Sequence, residues 1–299
     1  MQHEHQPRRW ELEEPFVVPR APAKTLITST TPLHAVCVHE VDRRTPVTEE
    51  VSAYAERIAQ GVVRMRATGV PVPFNGPLAN IVRWTSEHQN IVLFTERTDY
   101  FTYLAASHLH RDDPAKNPIR PLAVAVAPFG ERGMCYLQRR SGVTEMAGNV
   151  HIFGASVAPG MFPDDIIARV AEQKLGVDVP DGAFTLTGMV HEAVQNVLTV
   201  TYAVELNAAD VERVRAHVHH DLIELSATDE HGIEEFLREH PITRWNPDGF
   251  LGFLAGLRLA NLRTADELSV IEQRTREHLA EHPYRYVYPA QHYLRAATL

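Results

Sequence analysis

Six short apolar runs between residues 121 and 227 limit what this chain can fold into more than any other feature. They read PLAVAVAPFG, GMCYLQRRS, NVHIFGASV, FTLTGMVHEAV, VLTVTYAVEL and DLIELSA. Short runs of this kind, bounded by turn residues and polar stretches, predict strands. Between the third and fourth lies one amphipathic helical pattern, Pro163 to Leu175, and DVERVRAHVHH predicts a second helix just before the sixth. Many strands with few helices between them predict an α+β fold, a mixed sheet packed by helices.

The flanks extend this pattern. Asn246-Pro247-Asp248 predicts an N-cap followed by proline at the first helical position, opening GFLGFLAGLRLANL. Thr264-Ala265-Asp266-Glu267 fits a capping box that opens a last helix. Upstream, Val51, Tyr54, Ala55, Ile58, Val62, Val63 and Met65 recur at helical spacing behind Thr48, a natural N-cap, with Glu49 and Glu50 suiting the helix dipole. LHAVCVHEV, LANIVRWT and NIVLFTER read as strands, and DYFTYLAASH as a short helix or a continuation. The polar, proline-broken stretch 108–121 is the predicted boundary. The expected division is therefore a flexible arm over 1–30, an N-terminal α+β segment over 31–118, a main domain over 119–260, and a C-terminal helix and tail over 261–299. The His-Glu-His of residues 3–5 is read as part of the solvated arm.

Hydrophobic residues at 44% can bury a sizeable core and exclude wholesale disorder. No run approaches the roughly 18 apolar residues of a membrane span, and the polar start lacks the apolar region of a secretory signal. A cytoplasmic protein without a membrane partner is expected. The net charge is −9 and no basic stripe appears, so nucleic acid is not an expected partner; a small-molecule ligand is. Seventeen histidines give the chain a charge that changes as pH falls through the sixes. Cys37 and Cys135, in apolar runs, read as reduced core thiols.

The segment from Met134 to Val179 resembles the Nudix hydrolase family. CYLQRRS is similar to the family's strand ending in a Gln-Arg pair. FGASVAPG stands in the place of its Gly-Gly loop, and the helix after it ends in Gly176-Val177. The family box is a Gly, five residues, a Glu, seven residues, then Arg-Glu-apolar-x-Glu-Glu-x-Gly-apolar. Laid over residues 155–177 without a gap, Ala155 takes the first Gly, Arg169 the Arg, Ala171 the apolar position, Gly176 the late Gly and Val177 the last apolar one. The four acids fall on Met161, Val170, Gln173 and Lys174, so this box is degenerate. In the family those acids hold Mg²⁺ or Mn²⁺ against a diphosphate, a task for hard oxygen ligands. A lysine there repels a cation but meets a phosphate as a point charge. The strand order extends the resemblance over roughly 120–260. It implies a Nudix-like mixed sheet with an N-terminal α+β extension and C-terminal helices, in a fold that often forms a homodimer.

The expected function is that of a non-canonical Nudix-like protein that binds or transforms a small phosphorylated or nucleotide-like metabolite without the box metal site. Arg139, Arg140, Arg169 and Lys174 are the candidate anion-binding residues, although an i, i+4 pair with Asp165 also accounts for Arg169. His151, beside the loop, and His191-Glu192, in a strand that lines the family's cleft, are candidates for acid–base work. Glu224 aligns loosely with a late family glutamate used as base or metal ligand. The alternative is a Mg²⁺- or Mn²⁺-dependent hydrolase of a nucleoside diphosphate-linked substrate that uses acids outside the box: Glu172, Glu192 and Glu224. His217 and His220 add a weak metal-binding pattern that zinc would accept. A non-catalytic interaction module is the third reading.

Overall fold

The computed structural model of this 299-residue chain describes residues 16–17, 23–33, 35–69, 72–87, 89–140, 148–180, 182–286 and 289–298. The N-terminal part runs β1 (Phe16–Val17), β2 (Ala23–Leu33), β3 (Ala35–Glu40), α1 (Glu49–Ala67), β4 (Pro77–Glu87), β5 (Asn90–Asp99) and α2 (Tyr100–Leu109). The six apolar runs follow as β6 (Leu122–Phe129), β7 (Met134–Arg139), β8 (Val150–His151) with β9 (Phe153–Ser156), β10 (Phe184–Glu192), β11 (Val197–Glu205) and β12 (Leu222–Ser226). The helices between and after them are α3 (Pro163–Val170), α4 (Ala208–Val218), α5 (Glu230–Glu239), α6 (Pro247–Leu259) and α7 (Ala265–Glu281), then β13 (Arg285–Tyr286) and α8 (Pro289–Thr298). The class is mixed α+β, as the pattern of runs requires.

The main sheet has the order β12-β7-β6-β11-β10-β2, with β8 paired to β7 and β9 to β6. At its centre β6 and β11 run parallel and are buried nearly throughout, which is why both read as continuous apolar runs rather than alternating ones. One face packs Phe153, Ile167, Leu175, Val200 and Val211, with α3 and α4 above them. The other packs Trp245, Phe250, Phe253 and Leu257, which belong to or precede α6. A second sheet, β3-β5-β4, contributes Val36, Ala79, Ile81, Ile91 and Leu93 to the first of these cores.

Contacts cross two of the expected boundaries. Residues 23–30, read as part of an arm, belong to β2, the edge strand hydrogen-bonded to β10. Of residues 31–118, strands β3, β4 and β5 share a core with the main sheet, and the Ile81 N–H donates to the Arg120 carbonyl across the expected boundary, whereas α1 and α2 form a core of their own with α8. The His-Glu-His of residues 3–5 lies outside the described residues. Cys135 is buried but Cys37 is exposed on β3, so only one of the two thiols belongs to the core. Thr48 caps α1, its side chain accepting from the Val51 N–H, and both halves of the Thr264–Glu267 capping box form. α5 and α8 were not legible as periodic runs. α8 lies against α1 so closely that a Cβ on Gly61 would stand 1.8 Å from the Tyr293 carbonyl oxygen. Among the described residues no helix is long and apolar enough to cross a membrane.

Candidate functional site: a cationic cavity at the end of the main sheet

A cavity of about 620 Å³ opens where β7, β8 and β9 leave the main sheet. Arg140, just beyond β7, and Lys174 supply its cations, and His151, Glu192 and Asp248 its buried polar floor. Leu78, Tyr100 and Tyr103 from the N-terminal part close one side.

Lys174 reaches the cavity because α3 ends in a π-helical turn, Ala171–Leu175, stopped by Gly176 at φ 71°. That left-handed backbone suits glycine, and a Cβ there would press on the His217 ring at 2.9 Å. The Lys174 ammonium donates to the Gly154 carbonyl on β9. Solvent reaches it through the cavity mouth, yet the surrounding protein lowers its pKa, by desolvation first and the Arg140 charge second. Desolvation also lowers the pKa of Arg140, partly offset by the Asp248 carboxylate. Among the described residues the Arg140 guanidinium has neither an ion pair within 4.0 Å nor a hydrogen bond.

Asp248 sits in the first turn of α6 and is 7% exposed. It accepts from the Thr199 hydroxyl at 2.8 Å, the Gly249 N–H at 2.9 Å and the Asn246 amide at 3.3 Å, and His151 Nε2 lies 3.4 Å away. Burial by itself raises this carboxyl's pKa, but His151, Thr199 and Arg140 together hold it well below the usual carboxylate range. The other ring nitrogen of His151, Nδ1, faces the Ile152 carbonyl. Both nitrogens are therefore engaged inside the protein, which suits His151 to holding Asp248 better than to attacking a substrate proton. Glu192, 2% exposed, accepts from the Val194 N–H at 2.7 Å and the Gln195 N–H at 3.0 Å.

Of the residues singled out in the sequence, the fold brings Arg140, Lys174, His151, Glu192 and His217 to this cavity. The others lie elsewhere. Arg139 is exposed and donates to the Gly148 carbonyl at 3.3 Å; Arg169 and Glu172 are exposed on the box helix and its π turn. His191 Nε2 stands 2.9 Å from Asn196 Oδ1. Glu224 accepts both ends of the Arg215 guanidinium, at 2.8 and 2.6 Å, on the outer sheet edge. His217 Nε2 is 2.9 Å from the Gln173 carbonyl oxygen, and the His220 ring lies beside that of His219. Among the described residues no three His, Cys, Asp or Glu side chains are grouped to hold a metal ion. Asp248 escaped the sequence reading because Asn-Pro-Asp looks like helix initiation alone. Asn246 does occupy the N-cap of α6, but its side chain bonds Asp248 and makes no cap bond.

No protein-family profile and no curated protein matches the chain. Among solved structures it is similar to DR0079 from Deinococcus radiodurans, at 14% identity over 45% of this chain and 80% of that one, TM-score 0.34. The Nudix domain of Shewanella oneidensis NrtR, solved with ADP ribose, matches at 16% identity over 50% and 94%, TM-score 0.34. NrtR solved with a 27mer DNA matches at 11% identity over 57% and 95%, TM-score 0.33. These likenesses to Nudix proteins are loose, span about half of the chain, and assign no role to any residue.

Proposed function

We propose that the cavity binds a small phosphorylated or nucleotide-like metabolite, with the anion on Arg140 and Lys174 and no requirement for a divalent metal. The observation that carries this reading is the Arg140 guanidinium. Arg140 is desolvated and, among the described residues, its guanidinium makes no direct ion pair or hydrogen bond, the Asp248 carboxylate acting on it only from beyond ion-pair distance; a bound anion would supply a bidentate, charge-assisted contact. Lys174 adds a second charge on the same cavity, at a position where the resemblance implies a metal-binding acid. Glu192 is the candidate proton acceptor if the ligand is transformed.

The test is thermal stabilisation by inorganic phosphate and a panel of phosphorylated metabolites, with and without Mg²⁺ or Mn²⁺. A ligand that binds only the folded state at 100 times its Kd stabilises by about 2.7 kcal/mol. Stabilisation is expected without metal and is expected to vanish in Arg140→Gln, while Arg169→Gln behaves as the parent protein. Stabilisation that appears only with metal would overturn this reading in favour of the hydrolase.

A further inference from the structure

Lysine is scarce in this chain: Lys24, Lys116 and Lys174 stand against 26 arginines. Lys116 is a surface residue, 75% exposed and 3.3 Å from Asp113. Among the described residues, Lys174 is the lysine that lines the cavity, beside an arginine. If positive charge were all this position required, arginine would serve better, since its fork holds phosphate in two contacts and never loses its proton. Lysine alone supplies a primary amine. Enclosure together with a neighbouring cation is the setting that makes such an amine a nucleophile. Lys174 is solvent-accessible but lines the cavity together with Arg140, and its ammonium is held on the Gly154 carbonyl; desolvation and the Arg140 charge lower its proton affinity.

We propose that Lys174 is a nucleophilic amine that forms an imine with a phosphorylated aldehyde or ketone whose phosphate lies on Arg140. The proposal rests on the reading of the cavity as an anion site. The nitrogen lone pair attacks the carbonyl carbon and forms the C–N bond, while the C=O π pair moves to oxygen. The two protons given up by nitrogen leave with that oxygen as water, and the C=N bond remains. No oxidant, reductant or metal enters the balance. Glu192 and Asp221, which line the same cavity, are the acids available to relay those protons.

Pyridoxal 5′-phosphate, an aldehyde carrying a phosphate, is a suitable probe on the full chain. The imine is reduced with borohydride and the labelled lysines are located by peptide mass mapping. Lys174 is expected to react faster than Lys116, as an amine beside a second cation does. The preference should fall for unphosphorylated pyridoxal and in Arg140→Gln, and the label should disappear in Lys174→Arg. Circular dichroism checks both variants for folding, and the rate ratio in the parent protein needs no variant. Labelling of Lys174 no faster than Lys116 would overturn the proposal. If phosphate still stabilises the protein in that case, the anion site stands and only the imine falls. If phosphate has no effect and both aldehydes label Lys174 equally fast, the anion reading fails and takes this proposal with it.

Discussion

Replacing Asp248 with asparagine tests the buried centre of the site while preserving its shape. The carboxylate accepts from a hydroxyl, a backbone N–H and an amide between 2.8 and 3.3 Å, with His151 Nε2 at 3.4 Å. Asparagine keeps one oxygen for the Gly249 and Asn246 donors, and the Thr199 hydroxyl can turn to accept from its N–H₂ group, so the change removes mainly the charge. Its neutral side chain also leaves Arg140 without the Asp248 counter-charge. Removing one partner of a buried, hydrogen-bonded charge pair costs about 3–5 kcal/mol. The 3.4 Å separation from His151 argues for the lower end, about 3 kcal/mol. With an unfolding entropy of about 2.1 cal/mol/K per residue, that loss lowers the Tm of a chain this size by about 5 °C. The pH dependence carries a sign. The folded-state pKa of Asp248 lies below the ordinary 3.8, so its contribution is fully present above pH 3.8 and is lost as pH falls through the folded value. Thermal melts followed by circular dichroism should show the full gap between Asp248→Asn and parent at pH 7, and a narrowing gap below pH 3.8. A gap under 1 °C at pH 7, or one that stays constant into acid, would refute the assignment of Asp248 as an ionised, satisfied centre.

Two further predictions concern the frame around the site. Gly61→Ala should destabilise the fold by about 1–3 kcal/mol, a typical cost of overpacking, because the new methyl would collide with the backbone oxygen of Tyr293; an unchanged urea midpoint would show that α8 does not rest on α1. A thiol reagent under native conditions should titrate Cys37, which is exposed, and spare Cys135, whose pKa burial raises strongly. Both should react after unfolding, and rapid native modification of Cys135 would place it outside the core.

How much was legible depended on the range of each signal. The cap at Thr48 and the Thr264–Glu267 box join residues three apart, and both form as read. The continuous apolar runs of β6 and β11 required burial on both faces, which the parallel central pair provides. The resemblance drew attention to Lys174 only through its place in a family pattern. It could not show the π-helical turn that carries the side chain, nor the Gly154 carbonyl that receives it. Glu224 is an instructive contrast: its type and place in the chain made it a candidate, but the bidentate Arg215 contact on the sheet edge satisfies it away from the cavity.

The amino-acid sequence by itself determined the class of fold, the main-sheet strands other than β2 and the starts of α1, α6 and α7, because backbone propensity, capping and apolar periodicity act over a few residues. It also carried the scarcity of lysine. Tertiary structure decided which charged groups meet. His151 and Asp248 are drawn together from β8 and the start of α6, and Tyr100 and Tyr103 reach the cavity from the start of α2, whose core is formed with α1 and α8. Contacts of that kind depend on which helix covers which face of the sheet, which the burial of the whole chain settles and no local pattern records.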